Sequence, residues 1–357
     1  MFDSQKLHNA LPLLPPKTSL ETPAIYKQLV HASRALAELK GAGDLIPNQA
    51  VLLTTLALKE AKLSSEIENI VTTNDELYKA LADEDYHQDP ATKEVLHYNE
   101  ALWFGYNTLR SGRPLSTRLF EDIVARVKPN SPGVRRFTGT KIASQHDVIY
   151  TPPEGEKLIR DLLQNLENFL YNYINLDPLI KMAVMHYQFE AIHPFADGNG
   201  RTGRILNILY LVEEKLLEIP VLYLSSYIMK NRSNYYQGLR QVTQTNAWEA
   251  WVLYMLEAVE QTASSTRDKI LGIRDLLSET DKVIKEKLPG IHRKELTEIL
   301  FQQPYCKIKF LEQGLGLSRQ TASTYLKQLE TIGVLKGTKR GREWYYLNLA
   351  FFEVLTK

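Results

Sequence analysis

Apolar positions recur at helical spacing through most of the chain. Ile25, Leu29, Ala32, Leu36 and Leu39 fall on one face, and Gly41 and Gly43 punctuate the end of that run. A second helix starting near Pro47 and Asn48 carries Leu52, Leu56 and Leu63 towards residues 64–69. Thr73, with Glu76 three residues on, has the form of a capping box and predicts a third helix. Ahead of these, the first fifteen or so residues, with Pro12, Pro15 and Pro16 near their end, read as an extended arm. Helices continue to about Leu109, where Ser111-Gly-Arg-Pro114 interrupts them.

From 116 to about 260 the period stays helical with one exception. Over 140–150, Ile142, Val148, Ile149 and Tyr150 flank the polar Ser144-Gln-His-Asp147, which predicts a short β-hairpin closed by Pro152 and Pro153. Residues 177–192 predict a buried helix. Trp248, Trp251, Val252, Met255, Leu256 and Val259 form an i, i+3, i+4, i+7 stripe. A charged helical connector follows, and Pro289-Gly290 marks a change of character. The remainder reads as helix–turn–helix and then a hairpin with a basic tip, which together resemble a winged helix. The fold class expected is mainly α, with units at 1–110, 111–262, 263–288 (the connector) and 289–357.

The 357 residues carry 43 Lys+Arg against 42 Asp+Glu, so no global field calls for nucleic acid or an anionic membrane. Locally, Arg319, Lys327, Lys336, Lys339, Arg340 and Arg342 make a modest basic footprint on the last unit. DNA, a protein target and a homodimeric partner all stay open for that unit. The single cysteine, Cys306, leaves no internal disulfide, and no apolar run approaches the roughly twenty residues of a membrane span. A soluble cytoplasmic protein without a signal peptide is expected.

The chemistry concentrates in His193-Pro-Phe-Ala-Asp-Gly-Asn-Gly-Arg-Thr-Gly-Arg204, which runs into the helix-forming stretch 205–216. Gly198 and Gly200 let backbone approach phosphate oxygens, and the N–H groups of a helix start, including those of Arg201, Thr202 and Gly203, suit an anion. Arg201 and Arg204, three apart, are expected to grip one polyphosphate from neighbouring positions. Asp197 is a hard oxygen ligand suited to Mg²⁺, and Asn199 holds the loop or its ligand. His193, with an ordinary pKa near 6.5, suits a general base. The spacing is not that of a P-loop. His186, with no metal-ligand spacing to His193, reads as a satisfied helix histidine.

This pattern resembles the signature of the Fic family, whose members mostly transfer AMP from ATP onto protein hydroxyls. His193, Phe195, Asp197, Gly198, Asn199, Gly200, Arg201 and Arg204 match it without substitution. The resemblance implies a Fic-type helical bundle that uses ATP and Mg²⁺, with His193 as base and Asp197 as metal ligand. It implies that the hairpin is a flap, with Thr140, Lys141 and Ile142 docking an extended target segment. Thr140 and Ala143 stand where the family carries valine and glycine. Ser64-Ser-Glu-Ile-Glu68-Asn69 resembles the family's inhibitory helix, with Ser64 and Glu68 on one face, Glu68 aimed at Arg204 and Asn69 ending the helix. Tyr236, then Tyr235, are the expected nucleotide contacts. Self-modification, AMP removal, transfer of another phosphate-containing group, and a DNA-binding regulator remain alternatives.

Overall fold

The computed structural model describes residues 2–43, 49–82, 88–143, 148–340 and 343–356, with the side chains of 49–54 and 340 also outside the described set. The expected start of the second helix at Pro47 and Asn48, the side chain of Leu52, the hairpin turn 144–147, the side chain of Arg340 and the whole of Arg342 therefore lie outside the described residues.

Five helices open the chain: α1 Pro23–Gly43, α2 Gln49–Ile67, α3 Asn74–Ala82, α4 Pro90–Arg110 and α5 Thr117–Val127. Their starts follow local chemistry. The Thr73 hydroxyl accepts from Glu76 N–H at 3.1 Å, Asp89 caps α4 through Thr92 N–H at 2.8 Å, and Ser116 caps α5 through Leu119 N–H at 3.4 Å. The hairpin follows as β1 Ile142–Ala143 and β2 Val148–Tyr150, antiparallel, with Ile142 opposite Tyr150 and Ala143 opposite Val148.

Next come α6 Glu156–Asn172, α7 Pro178–Ile192, α8 Asn199–Glu213, α9 Leu224–Lys230, α10 Arg232–Thr245 and α11 Trp248–Lys287. α7 is buried on nearly every side, as an all-round apolar helix must be, and packs on α6, α8 and α11. α11 is one unbroken helix of 40 residues, so the charged segment after 263 continues the stripe-bearing helix and is no separate element. The apolar face of α1 lies along it. The extended arm ahead of α1 closes over α6 and α7. Leu14 and Asn165 exchange two hydrogen bonds at 2.8 and 3.1 Å, and Gln188 donates to the Pro12 carbonyl at 3.0 Å.

The last unit holds α12 Lys294–Gln302, β3 Tyr305–Cys306, α13 Ile308–Leu315, α14 Arg319–Thr331, β4 Lys336–Arg340, β5 Glu343–Leu347 and α15 Leu349–Thr356. β5 lies between β3 and β4, and both pairings are antiparallel. The unit packs against α2, α3 and α11, so the N-terminal helices are held between it and the central bundle. No helix among the described residues is long and apolar enough to cross a membrane.

Candidate active site

α7 begins on Asp177, whose carboxylate accepts from Leu179 N–H at 2.8 Å, and it ends in His193, which adopts the left-handed conformation at φ 50°. That turn sends the chain back through residues 194–198 into α8. Two side chains fix the loop. Asn199 accepts from Phe195 N–H and donates to the Phe195 carbonyl, both at 2.8 Å, so its amide is spent on the loop rather than on a ligand. Arg135, nearly fully buried, donates to the carbonyls of His193 at 2.8 Å and Ile192 at 3.4 Å, and also to that of Pro153. Gly198 takes φ 82° at the start of α8, where a β-carbon would strain the backbone. The N–H groups of Asn199, Gly200 and Arg201 then emerge with no hydrogen-bond partner among the described residues, whereas that of Thr202 closes on the Gly198 carbonyl at 2.9 Å.

His193, Gly200 and Arg204 line one cavity of about 600 Å³ with Glu68, Asn69, Glu190, Arg232 and Tyr236. Burial, and then the charge of Arg135, push the His193 imidazole below its ordinary value to about 4, against the opposite pull of Glu68 and Asp197. The ring is neutral at pH 7. Its Nδ1 is buried, which leaves Nε2 as the nitrogen a reactant can reach. Glu190, one turn earlier on α7, has a buried oxygen without a partner among the described residues, and burial raises its pKa to about 7.

Arg204 is fully buried and held from α2. Its Nε donates to the Ser64 hydroxyl at 2.7 Å, and its terminal nitrogen donates to the Ser64 carbonyl and to Glu68 Oε1, both at 2.9 Å. Burial works against the guanidinium charge, yet Glu68 holds its pKa above the ordinary value. Glu68 lies one residue past the end of α2, in a capping turn where Glu68 N–H bonds Ser65 and Asn69 N–H bonds Glu66, both at 3.0 Å, and Asn69 takes φ 62°. Gly200 makes this approach possible, since a β-carbon there would sit 2.3 Å from Glu68 Oε1.

The expectation that Arg201 and Arg204 share one ligand meets a different geometry. Arg201 does not line the cavity; it donates to Glu94 on α4 at 2.8 Å and lies 3.8 Å from Asp197. Asp197 itself pairs with Lys128 at 3.0 Å and accepts from Gly198 N–H at 2.6 Å. Burial works the other way, but Lys128 and Arg201 hold its pKa below the usual carboxylate value. No group of three His, Cys, Asp or Glu among the described residues could cage a metal alone. A Mg²⁺ that keeps its waters and shares phosphate oxygens needs only one or two carboxylates, and the half-exposed Asp197 fits that demand.

Tyr236 is exposed at the cavity, with the Arg232 guanidinium 5.8 Å from its ring centre. Tyr235 is buried and bonded to His186 Nε2 at 2.8 Å. His186, stacked on Trp251, is held well below its ordinary pKa, at about 3, by burial first and Arg204 second. Ile142, Ala143, Ile149 and Tyr150 bring the hairpin to the cavity wall, while Thr140 and Lys141 lie off it. Thr202 and Gly203 are buried inside α8; a β-carbon on Gly203 would lie 2.7 Å from Glu190 Oε1, so glycine permits the close contact with α7.

Reasoning from the chain alone passed over Glu94, Lys128, Arg135 and Glu190. Only Glu190 carried a local signal, one helical turn before His193.

Residues 26–107 match the model of the Fic/DOC family N-terminal region, 114–211 that of the Fic/DOC family, and 276–351 that of the protein adenylyltransferase SoFic-like C-terminal domain. A probable protein adenylyltransferase of Aquifex aeolicus is 36% identical over 95 residues, 27% of either chain. The protein adenylyltransferase Fic of Nematostella vectensis is 26% identical over 180 residues, 47% of this chain and 38% of that one. The chain thus spans less than two fifths of the length of either relative. Among solved structures, a Fic family protein from Desulfovibrio desulfuricans shares the fold, with a TM-score of 0.62 at 20% identity over 93% of this chain and 98% of that one. With three models matched over 26–107, 114–211 and 276–351 and the loop after His193 built as described, this chain belongs to the Fic/DOC family.

Proposed function

We propose that the chain is an auto-inhibited protein adenylyltransferase, moving AMP from ATP to a Ser, Thr or Tyr hydroxyl of a protein target. The observation that carries the reading is the shared cavity, in which an unprotonated His193 faces the unpartnered start of α8 and the guanidinium of Arg204. Several parts of that arrangement suit a triphosphate. The free N–H groups of Asn199, Gly200 and Arg201 suit phosphate oxygens, and Arg204 suits the terminal phosphate once Glu68 withdraws. Tyr236 offers a ring to the purine. Asp197 would hold Mg²⁺, which would supply charge neutralisation for the phosphates.

The acceptor hydroxyl loses its proton to His193 Nε2 while its oxygen bonds the α-phosphorus. The bond from that phosphorus to the oxygen bridging to the β-phosphate breaks, and pyrophosphate leaves with the electron pair. Arg135 contributes by holding the His193 carbonyl, and so the ring, at one position. An edge of the short hairpin can align an extended target segment through backbone hydrogen bonds. Incubation with α-labelled and γ-labelled ATP tests the reading. Protein-bound α-label without γ-label, absent in His193→Ala, is expected; γ-label on the protein would replace AMP transfer by phosphate transfer.

A further inference from the structure

Around the start of α8 four charges close a ring of which the proposed chemistry uses only Asp197. Lys128 Nζ lies 3.0 Å from Asp197 Oδ2 and 3.3 and 3.4 Å from the two oxygens of Glu94, Glu94 accepts from Arg201 at 2.8 Å, and Arg201 returns to Asp197 at 3.8 Å. The members differ in freedom. Arg201 is 2% exposed and fixed on Glu94, whereas the side chains of Lys128 and Asp197 are 36% and 56% exposed.

We propose that Lys128 is the resident cation of the Asp197 carboxylate, which a divalent ion must displace, and that it thereby sets how tightly this site takes its metal. The inference rests on the assignment of Asp197 as metal ligand. Asp197 is oriented at its other oxygen by Gly198 N–H, so only Oδ2, where the ammonium sits, stands open to an incoming ion. Lys128 caps the end of α5, with its backbone N–H anchored on the Val124 carbonyl at 2.8 Å, and only its flexible stem has to move. Its second acceptor is in place: on leaving Asp197 the ammonium keeps Glu94, so no charge is stranded. A lysine whose sole role was to brace the loop would lower stability when removed and leave metal affinity unchanged or weaker.

The test titrates Mn²⁺ alone into the full chain, read by water-proton relaxation, for wild type, Lys128→Met, Lys128→Arg and Asp197→Ala. Because the pair is half-exposed, Lys128→Met is expected to bind Mn²⁺ about fivefold more tightly, with the gap narrowing as KCl rises. Lys128→Arg should keep the wild-type affinity, and Asp197→Ala should bind more weakly than every other variant. Equal or weaker binding by Lys128→Met, including no detectable binding in either protein, overturns the proposal. Wild-type binding by Asp197→Ala overturns it together with the metal assignment. Incorporation of α-label, measured separately, addresses AMP transfer and leaves the Mn²⁺ ranking standing either way. Melting curves establish that each variant is folded.

Discussion

Glu68→Gly removes one of the three hydrogen bonds that α2 and its capping turn make to Arg204, and the only one carrying opposite charge. A charge-assisted bond is worth about 1.5–3 kcal/mol where water is excluded. Glu68 is 37% exposed, so screening brings the pair towards about 1–1.5 kcal/mol. Two bonds to Ser64 remain, so Arg204 keeps hydrogen-bond partners. The fold should therefore lose about 1 kcal/mol, a small drop in melting temperature. The larger consequence is kinetic. The freed nitrogen can pair with a phosphate oxygen in the transition state, and a gain of about 1.4 kcal/mol there raises the rate about tenfold. Incorporation of α-label into protein, compared at equal ATP for wild type, Glu68→Gln and Glu68→Gly, measures this. Glu68→Gln keeps a hydrogen bond without the charge and should fall between the others. Equal incorporation by wild type and Glu68→Gly, with His193→Ala inactive, would refute the brake while leaving the base in place.

Three further outcomes follow from His193 and the residue that holds its loop. His193 is held neutral down to about pH 4, so kcat/KM should be flat through pH 6.5 and fall only in more acid solution; Glu190, near 7 in the same cavity, makes Glu190→Gln the background for this profile, and a limb at 6.5 there would refute the assignment. The same lowered pKa means the unfolded chain takes up a proton first, so this histidine's share of stability is present above 6.5 and is lost as pH falls from 6.5 towards 4, which a series of melting curves reads. Arg135→Met keeps the stem but abandons three buried carbonyls, which should cost about 3 kcal/mol in stability and lower kcat more than it raises KM for ATP; unchanged kcat would show that the loop holds its shape without this residue.

What could be read from the chain is what lies close in sequence. The residues from 193 to 204 form one continuous loop and helix start, and the resemblance of 64–69 to the family's inhibitory helix implied the contact with Arg204 that the structure contains. What was not legible has long-range causes. Arg201 stands three residues from Arg204, yet its partner in the structure is Glu94, 107 residues away. Arg135 follows an ordinary Pro-Gly turn, and nothing local announces that its guanidinium reaches His193 across 58 residues. The segment after 263, expected as a charged helical connector, is helical, and the structure adds that it continues α11 without a break.

The long-range contacts of α2 also decide how the proposed brake would open. Glu60, two turns before Glu68, is fully buried on the same helix; it accepts from Ser225 N–H at 3.1 Å and from Tyr98 at 3.3 Å, and burial raises its pKa to about 7. Withdrawing α2 as a rod would leave Ser225 and Tyr98 unsatisfied and pull Ser64 off Arg204, a loss of several kcal/mol. Glu68 sits outside that frame, in a capping turn closed by three backbone hydrogen bonds and at the wet edge of the cavity. Opening of that turn alone breaks the carboxylate contact and spares the buried network, and it is the cheaper motion by most of that sum. Hydrogen exchange should therefore show ATP loosening the amides of Glu68 and Asn69 while those of 60–65 keep their protection. Loss of protection along all of α2 would mean that the helix departs as a unit.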